Sequence, residues 1–89
     1  MKQITLKNGF VVEVSENAAD NMELVDALSE MKDDDDALAI SKVTLLLLGK
    51  KQRKELYDAL RTEDGRVPVK EISDAIKEIF EALGDQGKN

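Results

Sequence analysis

The chain has 89 residues and predicts one domain, 1–89, because a protein of this size buries only about 60–65% of its unfolded surface. Its 19 acidic and 13 basic residues give a net charge of −6, and 42% hydrophobic residues supply a core, so we expect an acidic globular protein. The sequence has no cysteine and no histidine, which excludes disulfides and thiolate metal sites and removes the commonest general base. Composition therefore predicts that the protein is not an enzyme.

No run approaches the roughly 18 apolar residues of a membrane span, and the amino-terminal residues are polar and alternating, without a signal-type apolar stretch. We therefore expect a cytoplasmic protein without a membrane partner.

The first element is a predicted β-hairpin over residues 3–14. Two β-branched runs flank Asn8-Gly9, a dipeptide that favours the positive φ angles of a type I′ turn. Alternation places one apolar set on one face of the hairpin, where it can rest on helices: Ile4, Leu6, Phe10, Val12 and Val14.

Four helices are predicted after the hairpin, which gives an α+β, mostly α fold. The first spans about 18–31 behind caps at Ser15 and Asn17, and its apolar residues recur at three and four residue steps: Met22, Leu24, Val25, Leu28 and Met31. The others span about 37–48, 50–62 and 68–83, followed by a loose tail, 84–89. Asp36 is the expected cap of the second helix and Gly49 its expected C′ residue.

The run Leu45 to Leu48 makes the second helix apolar on nearly all sides. Such a helix is either central and buried or a surface for a partner.

The fourth helix carries a clean apolar stripe. We call Ile76, Ile79, Phe80 and Leu83 the C-terminal stripe. It is our candidate partner-binding surface, and the alternative is that it belongs to the intramolecular core.

Charge is segregated along the chain. Residues 13–36 hold ten acidic residues and one lysine, net −9, whereas residues 42–61 hold six basic and two acidic residues, net +4. The two segments either form solvated helix faces or attract each other, within one molecule or between copies, and we expect a homo-oligomer.

No metal site or cofactor is expected. In an EF-hand register that starts at Asp33, Ala37, Leu38 and Thr44 occupy positions that need a ligand, a glycine and a glutamate. The glycines are scattered singly, so no phosphate-binding loop exists. A basic cluster opens the third helix and supports an alternative function, a small nucleic-acid-binding or regulatory protein that uses residues 50–61: Lys50, Lys51, Arg53 and Lys54. The net charge of −6 argues against it.

Three segments, set in this order after a hairpin, resemble the small tail assembly chaperones of long-tailed phages and prophages of Gram-positive bacteria. They are Asn21-Met22-Glu23-Leu24-Val25-Asp26-Ala27-Leu28, Leu45-Leu46-Leu47-Leu48-Gly49-Lys50-Lys51-Gln52 and Leu56-Tyr57-Asp58-Ala59-Leu60-Arg61-Thr62-Glu63-Asp64-Gly65-Arg66-Val67-Pro68. The resemblance covers nearly the whole chain.

The resemblance implies a non-enzymatic scaffold in the cytoplasm of a bacterial host, which binds the tape measure protein and helps recruit major tail tube subunits. It also implies a longer form made by a −1 ribosomal frameshift. Codons GGA AAA AAC for Gly87-Lys88-Asn89 contain the slippery heptamer A AAA AAC, and CAG GGA AAA for Gln86-Gly87-Lys88 contain G GGA AAA.

Overall fold

The structure is a computed structural model that describes residues 1–33 and 36–86. It is an α+β domain in which a two-stranded antiparallel sheet precedes three helices. The elements, in chain order, are β1 (Lys2–Thr5), β2 (Val11–Val14), α1 (Met22–Ser29), α2 (Ala37–Leu60) and α3 (Val69–Gln86).

The predicted hairpin is present, with Ile4 opposite Val12, but the predicted type I′ turn is wrong. That turn needs a positive φ at both central residues, and only Gly9 has one, at 91°. The Gly9 N–H donates to the Leu6 carbonyl at 2.8 Å and the Leu6 N–H donates to the Phe10 carbonyl at 2.9 Å, which makes a three-residue loop. Its conformation is therefore a turn followed by a left-handed glycine.

Helix α1 begins four residues later than predicted, so the expected caps at Ser15 and Asn17 are wrong. The cap is Asn21, whose side chain accepts a hydrogen bond from the Glu23 N–H at 3.0 Å. Ser15 accepts instead from the Asn17 N–H at 3.2 Å and stabilises a turn before the helix. Short polar side chains favour both helix caps and turns, so the sequence alone does not show which of the two each residue forms.

Helix α2 begins behind Asp36, and this predicted cap is confirmed. The Asp36 side chain accepts from the Ala39 N–H at 3.4 Å and, through its other oxygen, from the Lys32 N–H at 3.3 Å. It therefore joins the linker to the first turn of α2. The rest of the predicted aspartate linker, residues 34–35, lies outside the described residues.

The prediction of four helices is wrong, because residues 1–33 and 36–86 contain three. The predicted second and third helices belong to one 24-residue element, α2, which bends at Gly49, where φ is 77° and ψ is 170°. The Arg53 guanidinium donates to the Ser41 hydroxyl at 3.5 Å, although a straight helix would separate these residues by about 18 Å along its axis. The bend therefore turns the second half of α2 back along its first half.

Helix α3 begins at Val69 and continues through Gly84 to Gln86, so the predicted end at 83 is wrong. Gly84 carries no positive φ and does not terminate the helix. The remainder of the predicted loose tail, residues 87–89, lies outside the described residues, as do the residues of the proposed slippery sites apart from Gln86.

One core joins all the helices to the sheet. Among its most deeply buried side chains, each at most 1% exposed, are one from β2 and one from each helix: Val12, Leu24, Leu56 and Ile79. Leu47 and Leu48 are buried and Leu45 and Leu46 half-buried, which agrees with the central-helix interpretation of the leucine run.

The backbone conformation at the bend predicts that Gly49→Ala destabilises the protein. The φ and ψ of Gly49 lie in a region that is essentially restricted to glycine, so alanine should lower the free energy of unfolding by about 1–3 kcal/mol. Gly84→Ala is the matched control, because this exposed glycine is helical and a Cβ there meets nothing within 4 Å. Urea unfolding of both variants measures the difference, and equal stabilities would contradict the role of the bend.

Candidate partner-binding surfaces

The structure places the C-terminal stripe mainly in the core. Ile76, Ile79 and Leu83 are buried, and Phe80 is half-buried and packs against the same cluster. This burial agrees with the alternative that the sequence left open, in which the C-terminal stripe belongs to the intramolecular core. The folded chain therefore does not present the C-terminal stripe as an open apolar surface.

Helix α1 does present one. Met22, Val25 and Leu28 are 70%, 45% and 38% exposed, while Leu24 and Ala27 face the core. The exposed three recur every three residues along one side of the helix, and we call them the α1 apolar flank. The sequence placed these residues and Leu24 in one set of recurring apolar positions, because periodicity identifies apolar positions without showing which of them a neighbouring element covers.

Carboxylates accompany the α1 apolar flank. Glu23, Asp26 and Glu30 are exposed, and none of them has an ion-pair partner among residues 1–33 and 36–86. The surface is thus apolar along one side of α1 and negatively charged beside it. Charge of this kind opposes association with another acidic surface and favours a basic one.

The basic face of α2 is partly neutralised by its own chain. Lys54 and Arg61 each donate a hydrogen bond to the Asp58 carboxylate at 2.9 Å. The bond from Lys54, and after it the bond from Arg61, lowers the pKa of this carboxyl below its ordinary value of 3.8. The Arg53 guanidinium lies 5.8 Å from the centre of the Tyr57 ring. Within the basic cluster that suggested nucleic-acid binding, this leaves the side chains of Lys50 and Lys51 without a recorded partner in the described part of the chain.

No group of three or more His, Cys, Asp or Glu side chains that could hold a metal ion occurs within residues 1–33 and 36–86. In the same residues, no helix has the length and apolar character needed to cross a membrane. Comparison of the chain with protein-family models, with curated protein sequences and with solved structures gives no match.

The burial of the C-terminal stripe predicts its energetic role. Ile79→Ala should lower the free energy of unfolding by about 2–5 kcal/mol, because it leaves a cavity at a fully buried site. Val25→Ala on the α1 apolar flank is the exposed control and should change it by less than about 0.5 kcal/mol. Thermal or urea unfolding measures both, and an Ile79→Ala protein as stable as the control would place Ile79 outside the core.

Proposed function

We propose that the protein is a non-enzymatic phage tail assembly chaperone, which acts in the cytoplasm of a bacterial host and binds helical segments of the tape measure protein. Two features support the proposal, and they share residues 22–28. The first is the resemblance carried by residues 21–28, 45–52 and 56–68. The second, on which the proposal mainly rests, is the exposed α1 apolar flank on an otherwise acidic part of the surface.

The α1 apolar flank suits a helical client. A helix that lies along another helix makes contact through apolar side chains at three and four residue steps, and Met22, Val25 and Leu28 have this spacing. The carboxylates beside them keep the complex charged and therefore soluble. In this proposal the C-terminal stripe supports the fold, and the client lies on α1.

Recruitment of tail tube subunits, self-association and a longer frameshifted form belong to the same proposal, through the resemblance. The charge segregation supports self-association, because residues 13–36 carry net −9 and residues 42–61 net +4.

Client binding should depend on α1. Val25→Ser removes apolar surface from the flank at a partly exposed position, so capture of a tape measure fragment from the same genome should weaken at least tenfold while the melting temperature changes little. The matched control is Val11→Ser on the hairpin, because Val11 is 47% exposed and Val25 is 45% exposed. Pull-down or calorimetric titration measures binding. Equal affinity of the two variants would show that the client binds elsewhere.

Self-association should depend on salt. Light scattering should find larger species at low ionic strength than at high, because exposed charges attract only within the Debye length, about 10 Å at 0.1 M salt. Reversing two exposed charges, with Lys50→Glu and Lys51→Glu, should reduce the species formed at low salt. A monomer under every condition would contradict the proposal.

The alternative, a nucleic-acid-binding protein, has Lys50 and Lys51 as its supporting observation. It requires salt-dependent DNA binding that Lys50→Gln with Lys51→Gln removes. We expect no such binding, since the whole chain carries a net charge of −6.

A further inference from the structure

The outer edges of the two strands of the hairpin differ in whether another part of the chain covers them. Gln52 of α2 covers the edge of β2: the Glu13 N–H donates to the Gln52 side-chain oxygen at 2.8 Å, and the Gln52 amide donates to the Glu13 carbonyl at 2.7 Å. The backbone groups of Glu13 therefore point away from β1, so Glu13 and its opposite residue, Gln3, form a non-hydrogen-bonded pair.

This pairing fixes the direction of every backbone group in β1. Hydrogen-bonded pairs alternate with non-hydrogen-bonded ones, so Gln3 and Thr5 direct their N–H and C=O groups away from β2. In the loop that follows β1, the Lys7 N–H donates to the Glu78 carboxylate at 2.7 Å. Gln3 and Thr5 are both exposed, and within the described residues their outward backbone groups have no recorded partner.

A groove lies beyond the end of β1, between the loop of the hairpin and α3. It has a volume of about 430 Å³, and Leu6, Lys7 and Asn8 line its hairpin side. Two lysines line the groove, whereas its α3 side alone has four carboxylates: Glu71, Asp74, Glu78 and Glu81. Lys70 pairs with Asp74 at 3.1 Å, whereas Glu71 and Glu81 have no recorded partner among the described residues.

We propose that the outer edge of β1 binds an extended segment of a partner protein as a third strand, and that this segment carries lysine or arginine on the side that faces α3. An open strand edge supplies main-chain hydrogen bonds for such an addition. The carboxylates of the groove supply the preference for basic side chains. This surface is separate from the α1 apolar flank, and the proposal does not depend on a helical client.

A second copy of the chain is the competing occupant of the edge. Pairing of two β1 strands would bring together two molecules of net charge −6, each with its own acidic groove beside the edge. Charge therefore favours a basic segment of another protein over a second copy.

The test uses the whole chain labelled with ¹⁵N and a synthetic octapeptide of alternating valine and lysine, with the valine and glutamate octapeptide as the charge control. NMR titration should show binding of the lysine peptide, at least tenfold tighter than the glutamate peptide. Amide exchange at Gln3 and Thr5 should slow at least tenfold in the complex, whereas exchange at Ile4, which already faces β2, should change little.

Thr5→Pro tests the geometry. Proline removes the N–H that points outward and keeps the bonds to β2, as is tolerated at an edge strand, so it should weaken peptide binding at least tenfold with the hairpin intact. Thr5→Val keeps the N–H and should bind as the wild type does. If Thr5→Pro fails to fold, amide exchange in the wild-type complex decides. Three results would each overturn the proposal. The first two are unchanged exchange at Gln3 and Thr5 and equal binding of both peptides. The third is a dimer of the wild-type protein that Thr5→Pro abolishes, because a second copy would then occupy the edge.

Discussion

The structure depends on one shared core, to which the sheet and all three helices contribute. Val12, Leu24, Leu56 and Ile79 come from four different elements and are all at most 1% exposed. A two-stranded hairpin is not stable alone and an eight-residue helix such as α1 is marginal in water, so both elements require this contact. Because the core takes the most regular apolar side of α3, the proposed function places binding on the outer surfaces that the core leaves open.

Sequence reasoning succeeded where a local signal decides the structure. The paired β-branched runs specified a hairpin, and Asp36 specified the start of α2. It failed where local signals compete. Ser15, Asn17 and Asn21 are all plausible caps, and Asn8-Gly9 suits more than one kind of turn. Tertiary packing and the neighbouring residues chose between them.

The candidate surfaces were harder to predict than the fold. Met22, Val25 and Leu28 have the spacing of core residues, and only the position of α1 against α2 shows that Leu24 and Ala27 fill that role. The open edge of β1 has no sequence signature, because local patterns do not show that Gln52, 39 residues from Glu13, covers the edge of β2 and leaves that of β1 uncovered. Charge was more informative. Within residues 1–33 and 36–86 no ion pair involves Glu23 or Asp26 of α1, so the proposed function leaves these carboxylates available to a partner.

In the proposed function, the client lies on the outer surface of α1 while the shared core stays closed. Hydrogen exchange of the protein with and without a tape measure fragment tests this claim most directly. We expect slower exchange in residues 22–29 of the complex and unchanged exchange in residues 76–83 of α3. Faster exchange in residues 76–83, with no change in α1, would mean that the core opens to receive the client on the C-terminal stripe, and it would contradict this account.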